Sequence, residues 1–142
     1  MSARLSAVPE ILARARALGA SIGLDGKLFD RYGKPNDEAH PFLEVDDAYH
    51  YVIRERGSEN GRQTTRDLDE LLYWILENQT WAVAMSFAVH HKVAGQDFRR
   101  PLFRHQVELL GRISPDMRAR GAKRISDILA QNSFEDGGPK EP

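Results

Sequence analysis

The stretch from Thr65 to Lys92, TRDLDELLYWILENQTWAVAMSFAVHHK, constrains the fold of this chain more than any other part of it. Leu68, Leu71, Leu72, Ile75 and Leu76 recur at steps of three and four, and after Gln79 the stripe resumes through Ala82, Val83, Met85, Phe87 and Val89. That is the period of a helix, not the period of two that marks a strand. Thr65 is placed to cap the helix, Asp67 and Asp69 put negative charge in its first turn, and His90, His91 and Lys92 sit at its negative end. A continuous helix here would be about 40 Å long. Apolar positions nearly encircle it between Leu71 and Val89, so neighbours are expected on more than one side. Asn78-Gln79-Thr80 are weak helix formers and mark the expected bend or break.

The 142 residues are of single-domain size. We expect one domain over residues 1–134, with 135–142 as a frayed polar tail. There is no cysteine, so neither a disulfide nor a thiolate metal site is available, which fits a reducing compartment. Arg14 and Arg16 interrupt what would be the apolar core of a signal peptide, and no apolar run approaches the roughly 20 residues of a membrane span. A cytoplasmic location is the expectation. Net charge is −1 but unevenly spread: residues 35–80 carry eleven Asp/Glu against four Arg, and residues 81–130 carry nine Lys/Arg against four acids. Two solvated faces of opposite sign are the simpler reading, and a surface steering a charged partner is the sharper one.

Before the long helix, Leu5, Val8, Ile11, Leu12, Ala15 and Leu18 form the stripe of a first helix that begins near Ala7 or Val8, with Pro9 in its first turn and Gly19 as its stop. Asp25-Gly26, flanked by Ile22-Gly23-Leu24 and Lys27-Leu28-Phe29, predicts a small hairpin. Phe42 to Val45 reads as a short strand and Ala48 to Arg56 as the clearest strand of the chain, with Tyr49, Tyr51, Ile53 and Glu55 on one face. Gly57 to Gly61 is then a reverse turn, and Arg62 to Thr65 a brief return strand. After the long helix, Asp97 is placed to cap a helix striped by Leu102, Phe103, Gln106, Leu109, Leu110 and Ile113. Ser114-Pro115-Asp116 starts a last helix with Met117, Ile125, Ile128 and Leu129 inward. The expected class is α+β: four or five short antiparallel strands in the N-terminal half packed against one long helix and two C-terminal helices, with an N-terminal helix.

No catalytic template fits. The chain has no phosphate-cradling glycine loop, no Gly-x-Ser-x-Gly turn and no His-Glu-x-x-His helix. His90 and His91 point about 100° apart on a helix and cannot easily share a metal. No metal, cofactor or catalytic residue is therefore assigned. Two clusters stand out: Tyr49 to Gly57, YHYVIRERG, and Gln96 to Phe103, QDFRRPLF, followed by Gln106. A structural Arg–carboxylate network explains both, and a partner-binding role is the alternative.

The strings YHYVIRERGSE, TTRDLDELLYWIL and QDFRRPLFRHQVELLGRI, in this order and at these separations, resemble the immunity protein 63 family of bacterial polymorphic toxin systems. The likeness runs from about Pro41 to about Phe134. It implies a small non-enzymatic cytoplasmic protein that binds and blocks a cognate toxin domain, without a cofactor, and leaves any homo-oligomer undetermined. On the family pattern, Tyr51, Glu55, Arg56, Gly57, Asp97, Arg99, Arg100 and Gln106 are the candidate partner-binding or scaffold positions. Recognition through variable loops would instead favour the acidic segment Asp37 to Asp47 and the loop Gly57 to Gly61, facing a basic cleft such as a nuclease's. Two other classes compete: a small enzyme using Glu55 and Asp97 with a histidine, and a nucleic-acid-binding or regulatory module using Arg118, Arg120, Lys123 and Arg124. The sequence pI near 6.5 speaks against the second.

Overall fold

The computed structural model of the protein describes residues 4–137. Its elements run α1 (Val8–Ala20), a 3-10 helix (Gly26–Gly33), β1 (Phe42–Val45), β2 (Tyr49–Glu55), β3 (Ser58–Thr65), α2 (Leu68–His90), α3 (Arg99–Ile113) and α4 (Pro115–Gln131). This is an α+β fold, with one antiparallel sheet in the order β1-β2-β3. The chain divides into two compact units between Leu76 and Glu77, inside α2.

In the first unit, Ile11, Leu12 and Ala15 of α1 are buried together with Phe29 and Tyr32, Phe42 and Leu43, Tyr49, Tyr51 and Val52, and Leu71, Leu72 and Ile75. The hairpin predicted around Asp25-Gly26 is replaced by the 3-10 helix. The Asp25 side chain accepts from the Lys27 N–H and caps it. Phe29 and Tyr32, three residues apart, turn to the same side, as three residues per turn dictates, and both are fully buried. Gly19 lies within the last turn of α1 and is not its stop. A Cβ there would stand 2.6 Å from the Phe29 ring, so the missing side chain makes room for that ring.

The sheet has three strands among the described residues, fewer than expected. β2 and β3 join through the two-residue turn Arg56-Gly57, and β3 starts at Ser58, so residues 58–61 are strand and not loop. A bulge between Ile53 and Arg54 sets the register at that end. Residues 37–39 lie alongside: Ala39 donates to the Arg54 carbonyl and Arg56 donates to the Asp37 carbonyl, forming a short bridge at Glu38 and Glu55.

α2 starts at Leu68, not Thr65. The Asp67 carboxylate accepts from the Asp69 N–H, while Thr65 Oγ1 accepts from the Asp67 N–H one step earlier. The predicted break at Asn78-Gln79-Thr80 is absent, and the helix is continuous to His90. Gln79 and Thr80 are buried, and packing of this kind outweighs a few tenths of a kcal/mol of propensity per residue.

In the second unit, Ala84 and Ala88 of α2, Leu102 and Phe103 of α3, and Ile125 of α4 form the core, with Met85, Phe98, Val107, Ile128, Leu129 and Phe134 packed against it. Ser114 caps α4 by accepting from the Met117 N–H, with Pro115 at the first helical position, as the sequence indicates. No described helix is long and apolar enough to cross a membrane.

Candidate functional site

The eight family-pattern positions fall into two groups, one in each unit. Tyr51 is buried in the first, its ring 6.0 Å from Trp74 and 6.5 Å from Tyr32. It belongs to the core.

Glu55, Arg56 and Gly57 form the tip of the β2–β3 hairpin. Arg56 has φ +52 and Gly57 φ +80, the two positive angles that a two-residue hairpin turn following the twist of its strands requires. Glycine reaches that region freely; an arginine there costs about 1–2 kcal/mol. The Arg56 N–H bond to the Asp37 carbonyl and the Arg54 Nη2 bond to the Gly57 carbonyl hold the turn. Glu55 is exposed and accepts from Asn60. The Glu-Arg-Gly string thus carries turn chemistry.

The acidity of the first unit is largely matched from within. Asp37 pairs with Arg54, Glu38 with Arg31, and Arg62 bridges Glu44 and Glu59. Asp46 accepts from the Ala48 N–H and lies 2.7 Å from His50 Nε2, a hydrogen bond that holds its carboxyl down at about 2. Asp46, Asp47 and His50 bring one ligand atom each within 4.8 Å of one another, but at an exposed turn where His50 Nδ1 is already 2.8 Å from Thr64 Oγ1.

In the second unit, Asp97, Arg99 and Arg100 are brought together with a segment the sequence reading placed at the chain's loose end. Asp97 accepts from the Arg99 N–H at 2.9 Å, which caps the start of α3 as expected, and from the Arg99 guanidinium at 2.9 Å and the Glu135 N–H at 2.7 Å. Those bonds, Arg99's first, hold the Asp97 carboxyl well below the usual carboxylate range. Its side chain is only 11% exposed. Arg99 also donates to the carbonyls of Asn132 and Ser133. Arg100 grips Asp136 with two nitrogens and lies 4.0 Å over the Phe134 ring. Asp136 in turn accepts from the Asp97 N–H, and Gly137 donates to the Gly95 carbonyl. Glu135 and Asp136 are therefore tied down. Residues 138–142 of the expected tail lie outside the described residues.

Gln106 stands apart from this knot, on α3. It is buried, and its Nε2 donates to the Glu77 carbonyl at 3.0 Å and to Thr80 Oγ1 at 3.3 Å, fixing α3 to the second half of α2. Nearby, burial pushes the Glu77 carboxyl up against the opposing pull of Arg124. The basic residues of α4 are mostly committed: Arg120 to Asp116, Lys123 to Asp127 and Arg124 to Glu77. Phe87 is stacked between His91 and His105 at 3.9 and 4.1 Å.

Sequence reasoning missed the last two acids of the knot, the histidine stack and a shallow apolar groove of about 630 Å³. The groove lies between the end of α2 and the start of α3 and is lined by Val89, Val93, Phe98 and Pro101. The groove leaves little trace in the sequence: Val89 reads as part of the α2 stripe, and only Val93-Ala94 follow the charged helix end.

A family model described as Immunity protein 63 matches residues 46–127, more than half of the chain. No curated protein and no solved structure matches it. The chain belongs to the Immunity protein 63 family.

Proposed function

We propose that this member of the Immunity protein 63 family neutralises a cognate bacterial toxin domain by binding it, stoichiometrically and without catalysis, in the cytoplasm. Family membership carries the reading, since the family's name denotes immunity. The matched region crosses the Leu76/Glu77 division, which supports treating residues 1–134 as one binding domain. The chemistry of the candidates agrees. Asp97 has its oxygens taken up by a guanidinium and two backbone N–H groups and is held charged, so it offers no proton and no free lone pair for general acid–base work. Glu55 sits exposed on a hairpin tip with an asparagine for a partner. The knot at Asp97 and the tie at Gln106 make the second unit stiff, and a preorganised surface loses less freedom on binding.

The test is co-expression with the product of the adjoining reading frame. Growth should be rescued, and the two proteins should co-purify. A folded chain that does neither would refute the proposal.

A further inference from the structure

Most apolar side chains of the second unit turn inward, but α2 departs from this over its last three turns. Trp81 is 40% exposed and Val89 48%; Val93, just past the helix end, is 55% exposed. Val89 and Val93 line the groove whose floor is closed by Phe98 and the buried Pro101. Isolated surface hydrophobics such as Trp81 need no explanation, whereas the concave cluster at Val89, Val93, Phe98 and Pro101 marks an interaction surface.

The charges around the groove say what fits it. Lys92 lies in the lining and takes part in no ion pair among those of the described residues, and Arg104, exposed one turn along α3 from Pro101, is likewise without one. The acid in the lining, Asp97, is already neutralised by Arg99. Among the described residues, the one charge in the lining left without a partner is therefore positive, at Lys92, beside an apolar floor. The knot at Asp97 to Arg100 holds the loop that forms one wall, so the groove stands preformed.

We infer that this groove is the contact surface for the toxin, and that it receives an apolar side chain flanked by carboxylates on the toxin's surface. The inference rests on the proposed immunity function and deepens it. An apolar anchor in a preformed pocket supplies affinity, and the flanking carboxylates, one of them meeting Lys92, speed encounter and fix register. The charged hairpin of the first unit, whose acids are paired from within, is not the main contact.

The experiment measures the affinity of the full chain for a catalytically inactive form of the toxin domain encoded beside it. Val93→Asp places a charge at an exposed position, so the fold should survive, as circular dichroism and an unchanged Tm would verify. It should weaken the complex at least tenfold, and Val89→Ala several-fold. Lys92→Glu should lower the association rate and reduce its salt dependence. Arg62→Ala in the first unit should change affinity less than threefold. Hydrogen exchange of the wild-type complex, which needs no variant, should show protection at residues 89–98 and none at 58–65. Wild-type-like binding by Val93→Asp, or protection confined to 58–65, would overturn the inference while leaving the immunity function intact. A dimer of the chain alone that Val93→Asp dissociates would overturn it in favour of a second copy as occupant. Absence of any wild-type complex would refute both the function and the surface.

Discussion

The hairpin tip at Glu55-Arg56-Gly57 and the knot at Asp97 to Arg100 look alike as text: acids and arginines next to a residue with special backbone properties. In space they are opposites. The tip is made by backbone angles, φ +52 and +80, and its charged side chains are largely free to the solvent. The knot is made by side chains, with one 11%-exposed carboxylate and two guanidiniums gathering carbonyls and N–H groups from residues more than thirty positions away. The same residue types thus shape a turn in one unit and fasten a distant segment in the other. The difference lies in where their partners come from.

The largest effect should come from cutting the knot. Asp97→Ala removes charge-assisted bonds from Arg99 and the Glu135 N–H and strands the guanidinium, which should lower unfolding free energy by about 2–3 kcal/mol in urea titration. Glu55→Ala at the tip should stay within about 0.5 kcal/mol. Equal losses at the two sites would break the contrast.

The tip should answer to backbone changes instead. Gly57→Ala, at φ +80 with open space around the new methyl, should cost about 1–2 kcal/mol through conformation alone. Arg56→Gly should go the other way and stabilise by up to about 1 kcal/mol, because it relieves an arginine held at φ +52. A loss of stability on Arg56→Gly would mean that the side chain, and not the turn, is what matters there.

Acid sharpens the comparison at lower amplitude. Burial, chiefly, holds His105 below its ordinary 6.5, with Arg112 and His91 adding to that and Glu108 opposing it. The unfolded chain then takes up the proton first, so stability should begin to fall as pH drops below 6.5. His40 in the first unit, also lowered chiefly by burial, adds to this with the same sign. A second fall should follow below 3.8, where the unfolded carboxyls of Asp97 and Asp136 protonate while arginine bonds keep the folded ones charged. Asp97→Asn should shrink the second fall, leaving the shares of Asp46, Asp136 and Glu59, and leave the first unchanged, as thermal melts across pH would show.

What the sequence revealed follows the same division between local and distant partners. The stripe of Ile11, Leu12 and Ala15, the Ser114-Pro115 start, the Asp97 cap and the period-two run of β2 all depend on neighbours within a turn or a pleat, so they were legible. Asp25-Gly26 reads as a hairpin turn because Asp-Gly so often is one, although the three-residue spacing of Phe29 and Tyr32 is that of the 3-10 helix. The continuity of α2 through Asn78-Gln79-Thr80 depends on burial of Gln79 and Thr80, which no local pattern announces. Half of the candidate site was hidden for the same reason. The glycine announces a turn at Gly57, though over 57–61 and not at Arg56-Gly57, while Asp136, which holds both Arg100 and the Asp97 N–H, lies 36 and 39 residues from them in what looks like a polar tail.

Immunity by stoichiometric binding is tested most directly by titrating the purified chain into an activity assay of the toxin domain encoded beside it. The account predicts a linear loss of toxin activity that ends at one chain per toxin and returns when the complex is dissociated. Complete inactivation by a small fraction of an equivalent, or none at a large excess, would contradict it.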